Sequence, residues 1–152
     1  MSENKKSKID WIIHFVANGV ECQTCGRAEN RFPQYMCDAH THGMTKYGHP
    51  EFQLVVNYGM QETGRLLNTM GLRVQAGEIF KSGDKVKGLY EDCDITLLKV
   101  PDCEGVKVLR LIIPDKENRL PEQCATYPHS LQCLSLEMLY EIGRRQNENT
   151  IE

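Results

Sequence analysis

Three apolar runs at residues 85–90, 95–100 and 106–113 follow one another through connections too short for a crossover. Glu91-Asp92-Cys93-Asp94 and Pro101-Asp102-Cys103-Glu104-Gly105 separate them, and Ser82-Gly83-Asp84 precedes them; all three segments are turn chemistry. Parallel neighbours need a connection of a dozen or more residues, so these strands are expected to pair antiparallel. Phe52-Gln53-Leu54-Val55-Val56 reads as a further strand, and residues 36–44 as another.

Helical spacing appears three times. Ile9, Ile12, Ile13 and Val16 predict a short amphipathic helix that stops at Asn18-Gly19. Met60, Leu66, Leu67 and Met70 share one face of a helix over residues 61–70, with Gly71 just past its end. Gly64 inside that helix costs roughly 1 kcal/mol relative to alanine, so packing must hold it. A last helix starts at Ser135, presents Leu136, Leu139, Tyr140 and Ile142, and carries Arg144 and Arg145 where cations suit the dipole. The expectation is a single α+β domain over residues 9–145, a mainly antiparallel sheet or half-open barrel with two to three short helices. Residues 1–8 and 146–152 read as polar tails.

The 18 basic and 21 acidic residues give a formal charge of −3, which predicts neither a nucleic-acid footprint nor a polyacidic tail. No apolar run reaches bilayer length, and the first residues lack the pattern of an export signal. Seven cysteines without such a signal point to reduced thiols or metal ligands in the cytoplasm. Phosphate loops, dinucleotide fingerprints, the Gly-x-Ser-x-Gly elbow and zinc-deaminase patterns are all missing from the sequence. The expected partner is a small molecule or a protein, with no nucleic acid and no membrane.

The chemistry concentrates between Cys22 and His49: Cys22-x2-Cys25, then Cys37, Asp38, His40, His42 and His49. Thiolates and imidazoles at short spacings are what zinc uses. One arrangement is a structural knuckle, with Cys22 and Cys25 as one half and Cys37 with His40 or His42 as the other. A second arrangement is borne on a strand. If residues 36–44 are extended, Asp38, His40 and His42 point to one face, and two imidazoles at i and i+2 grip one ion. Asp38 or His49 then supplies a third ligand and leaves a position for an activated water. The two arrangements conflict, because a strand turns Cys37 away from His40. Dithiol redox at Cys22-Gln-Thr-Cys25 is the weakest reading, since the pair follows a predicted helix end, where the dipole opposes the thiolate.

The stretch from Asp38 to Gln53 resembles a bacterial family known only as domain of unknown function 4262. Thr41-His42-Gly43-Met44, Gly48-His49-Pro50-Glu51 and Leu54-Val55-Val56 are similar to its Thr-x-Gly-aliphatic step, Gly-His-Pro-Glu turn and apolar strand. The similarity continues through Leu66-Leu67-Asn68, Val74-Gln75-Ala76-Gly77 and Gly83-Asp84, and ends near Ile113-Pro114-Asp115 and Asn118-Arg119-Leu120-Pro121. The resemblance implies a bacterial, cytoplasmic setting and no particular reaction.

The leading expectation is a zinc-binding module of binding or regulatory role, with Cys22, Cys25, Cys37, His40 and His42 as the metal candidates. A metal-dependent hydrolase built on the His-x-His pair is the alternative. A metal-free ligand-binding barrel is the third, with His49 and Glu51 lining a pocket; His49, Glu51 and Asp115 are the candidate catalytic residues. His14 reads as a packing residue beside Trp11 and Phe15, and His129 as a loop histidine.

Overall fold

A computed structural model describes residues 9–19, 32–102 and 104–151. The elements run β1 (Ile12–Ala17), β2 (Met36–His42), β3 (Phe52–Val56), α1 (Met60–Gln75), β4 (Lys85–Val86), β5 (Ile95–Pro101), β6 (Lys107–Ile112) and α2 (Leu136–Ile151). The strands form one six-stranded sheet in the order β1-β2-β3-β6-β5-β4. The class is α+β, as expected. Two details differ.

First, the sheet is open, with β1 and β4 at its two margins, so it is no barrel. Second, it is mixed: β3 and β6 run parallel while every other neighbouring pair is antiparallel. The antiparallel expectation holds for β4–β5–β6, whose short turns dictate it. It fails at β3–β6 because α1 and the whole β4–β5 meander intervene, and that is ample length for a crossover.

Helix α1 covers one face of the sheet. Leu66, Leu67, Met70 and Val74 join Phe15, Cys37, Ala39, Phe52, Leu54, Leu109 and Leu111 in the main core. Helix α2 lies on the other face, where Leu136 and Leu139 pack against Met36 and Val55. Complete burial of one such side chain is worth about 1.5–3 kcal/mol, more than the roughly 1 kcal/mol that a helical glycine costs. That margin is how α1 tolerates both Gly64 and Gly71.

The predicted first helix is a strand. Trp11, Phe15 and Ala17 face α1, while Val16 packs on the opposite side with Phe32 and Tyr140. Where a strand is covered on both faces, as β1 is at Phe15, Val16 and Ala17, apolar residues stop alternating, and a helical spacing then arises by coincidence. Asn18-Gly19 does end the element: Gly19 has φ +75°. The Asn18 side chain also brackets Phe32, donating to its carbonyl at 2.8 Å and accepting its N–H at 3.0 Å.

Helix α1 passes straight through Gly71, where a stop was expected. A Cβ at that position would meet the Trp11 indole at 2.5 Å, so the glycine is a docking point for Trp11. The stop comes at Ala76-Gly77, whose N–H groups reach the carbonyls of Leu72 and Val74. The run at 85–90 yields only the two-residue β4, because Gly88 adopts φ +94° and turns the chain.

Candidate functional site

Strand register sets a polar row across the α2 side of the sheet. His14 faces His40, His40 faces Gln53, and Gln53 faces Arg110. Asp38 sits one pleat away on β2. Arg110, fully buried, donates from Nε to Gln53 Oε1 at 2.7 Å and from Nη1 to the carbonyls of Gln132 and Leu134. Gln53 Nε2 donates to Asp38 Oδ1 at 3.1 Å, so its amide links the carboxylate to the guanidinium. Asp38 Oδ2 and Arg110 Nη2 are buried without a hydrogen-bond partner among the described residues.

Burial works against both charges. For Asp38 it is outweighed by the His40 hydrogen bond and charge, the Gln53 hydrogen bond and the Arg110 charge, so its carboxyl lies below the usual range. For Arg110 burial prevails over Asp38 and pulls the guanidinium down to about 10, still charged at neutral pH.

At the β1–β2 margin the row ends in three imidazoles. His14, His40 and His42 lie with ring centroids 4.2–5.3 Å apart, and one ring nitrogen from each falls within 4.8 Å of the others. Among the described residues this is the one group of three or more potential ligands drawn that close. His40 and His42 share a face because they are two apart on β2, and β1 register delivers His14 beside them. His40 is buried, His14 half-buried and His42 exposed, so the cluster opens to solvent at the His42 end. Asp38 Oδ1 lies 3.1 Å from His40 Nδ1. An ionised carboxylate there favours the proton on Nδ1, the support that metal-ligating histidines use.

The remaining candidates are dispersed. Cys37 faces α1, opposite to His40, with its Sγ 3.7 Å from the Leu54 carbonyl oxygen. Burial, with the Asp38 charge behind it, pushes its thiol far up. The expectation that Cys37 shares a centre with His40 is therefore corrected by the pleat. Cys22 and Cys25 lie outside the described residues.

His49 is buried with both nitrogens engaged, Nδ1 with the Pro50 carbonyl at 2.9 Å and Nε2 accepting the Phe80 N–H at 3.0 Å. It ties the Gly48–Glu51 turn to the loop after α1. Glu51 caps the 3-10 turn at Met44–Tyr47, accepting the N–H groups of Gly43 and Met44 and the Thr41 hydroxyl.

Asp115 organises the segment after β6. Its carboxylate accepts backbone N–H groups from Glu117, Arg119 and Thr126 at 2.8–2.9 Å. Burial alone would raise its pKa, but those amides and the Arg119 charge hold it far below the ordinary carboxylate range. A depressed folded-state pKa means stability that is complete above the unfolded value near 4 and fades as pH falls below it. Asp115→Asn should lower the urea midpoint at pH 7 and flatten the loss of stability between pH 4 and pH 2. An unchanged acid limb would contradict this role.

Sequence reasoning missed His14. Its reading as a helical packing residue followed from reading β1 as a helix, and only cross-strand register brings it to His40.

These features define a mixed-sheet α+β domain with a histidine cluster at one sheet margin. The chain belongs to the family described as domain of unknown function (DUF4262), whose model matches residues 14–126. The matched span begins at His14 and takes in the other two histidines of the cluster. No curated protein and no solved structure matches the chain. No helix among the described residues is long and apolar enough to cross a membrane.

Proposed function

We propose that this is a bacterial, cytoplasmic zinc-binding module that holds one ion on His14, His40 and His42. The observation that carries the proposal is the convergence of three imidazoles within 4.8 Å, one of them oriented by a buried carboxylate. Zn–N bonds of about 2.0–2.1 Å in a tetrahedron place the nitrogens roughly 3.3–3.4 Å apart, so closing the cluster takes about an ångström of ring movement. His42 is exposed and His14 half-buried, so those two rings have room to turn toward His40, which Asp38 holds. Asp38 is the positioning residue, raising the basicity of His40 without touching the ion.

Three protein ligands leave a fourth position open toward solvent. That favours a second reading, a zinc-dependent hydrolase, since a zinc-bound water ionises near pH 7.

Elemental analysis of tag-free protein purified without chelator should find about one zinc per chain. His42→Ala, an exposed change, should abolish it with the fold retained, and Asp38→Asn should weaken zinc binding about 10–100-fold. Zinc retained by a His14→Ala/His42→Ala variant but lost from Cys22→Ser would overturn the assignment. Zinc-dependent ester or phosphodiester hydrolysis that vanishes in His42→Ala would decide for the hydrolase.

A further inference from the structure

The two parallel strands send the chain to opposite faces. After β3 it continues into α1, and after β6 it leads to α2 on the other side. Where adjacent parallel strands diverge in this way, a crevice opens beyond their carboxyl ends, and open α/β sheets bind ligands there. In this protein that place holds a cavity of about 320 Å³, inside the range of small-molecule sites. Tyr58 enters it from the end of β3, Ile113 and Asn118 from beyond β6, His129 from the approach to α2, and Tyr90 from the β4–β5 connection.

We propose that this cavity binds a small, planar, uncharged heteroaromatic molecule of nucleobase size. Two phenol rings supply walls for stacking, which rewards flat π-systems of any identity. Counted with Arg119, which pairs with Asp115 from outside the lining, the ionised groups around the cavity cancel and select no ion. Asp115 is consumed by three backbone N–H groups and Arg119, while Asp92 and Lys116, both exposed, oppose each other in sign.

Uncharged hydrogen-bonding groups remain. Tyr58 Oη and His129 Nε2 lie 2.7 Å apart, and burial disfavours the charged form of each. The Asn118 carboxamide, at the solvent-exposed rim of the cavity, has no hydrogen-bond partner among the described residues. Its backbone is held at φ +63° by the Asp115 turn, in which Asn118 N–H donates to the Asp115 carbonyl at 2.8 Å. A carboxamide presents a donor and an acceptor side by side, the pattern that matches the edge of a nucleobase.

The test uses adenine, benzoate and benzylammonium as probes at pH 7, followed by amide chemical shifts in ¹⁵N-labelled full-length protein. Adenine should give saturable shifts centred on Tyr58, Tyr90 and Asn118, with affinity at least about tenfold above either charged probe. Asn118→Gly keeps the left-handed backbone and removes the amide, so it should weaken adenine about tenfold while leaving zinc content unchanged. Tyr58→Phe, which preserves the ring, should weaken adenine less than Tyr58→Ala does. The proposal fails if adenine produces no saturable shift, if a charged probe binds equally well, or if Asn118→Gly binds adenine like the wild type.

Discussion

Replacing Arg110 with alanine is expected to cost about 3–5 kcal/mol of folding stability, the range for removing one charge from a buried charged network, here Arg110 linked to Asp38 through Gln53. Three consequences add up. Asp38 stays in the interior without the guanidinium, and its Oδ2 already has no hydrogen-bond partner among the described residues. The carbonyls of Gln132 and Leu134 lose the donors that hold the segment before α2 onto the sheet. Gln53 Oε1 is orphaned as well, and each buried acceptor left unmade costs about 1–3 kcal/mol.

Urea denaturation checks the expectation, with Arg119→Ala as the control. Arg119 is 40 % exposed in its side chain, and its loss should cost no more than about 1 kcal/mol. A double variant, Asp38→Asn with Arg110→Met, should lose less than the sum of its single changes, because the two groups share one network. A loss below about 1 kcal/mol for Arg110→Ala would mean that the polar row contributes nothing to stability.

The same row shows what could and could not be read from the chain. Placing Asp38, His40 and His42 on one face needs only the two-residue period of a strand, and Cys37 turning away follows from the same period. Arg110 reads in sequence as one polar residue inside an apolar run, and nothing local marks it as buried. Its burial depends on β6 arriving parallel to β3, a pairing between segments more than fifty residues apart. His14 was hidden for a related reason. β1 is covered on both faces at Phe15, Val16 and Ala17, so its apolar residues no longer alternate, and the helical period fits by accident. Local turn chemistry placed β5 and β6 well, because short connections leave one geometry. The cavity beyond β3 and β6 belongs to topology alone, and no motif in the chain announces it.

Helix α1 carries two glycines seven residues apart, and the same substitution at each should move stability in opposite directions. A Cβ on Gly64 meets nothing within 4 Å. Gly64→Ala therefore keeps only the propensity gain and should stabilise the protein by about 0.5–1 kcal/mol.

A Cβ on Gly71 would lie 2.5 Å from Trp11 Cζ2 and 2.6 Å from Cε2, so something must move. The indole has little freedom to do so. Its Nε1 donates to Asn68 Oδ1 at 2.8 Å, and at its other end Trp11 Cβ sits against Gly43, where an added Cβ would be only 2.6 Å away. Trp11 is thus wedged between two glycines. Overpacking of such a site costs about 1–3 kcal/mol and outweighs the helical gain. Gly71→Ala should accordingly be destabilising, and Gly71→Val more so.

Trp11 is the single tryptophan of the chain, so its fluorescence reports the event directly. Emission should shift to the red in Gly71→Ala and stay unchanged in Gly64→Ala. For a chain of this size each kcal/mol moves the thermal midpoint by about 2–4 °C, so the two variants should melt on opposite sides of the wild type. Equal midpoints for the two would refute the wedge and leave the passage of α1 through Gly71 without its physical cause.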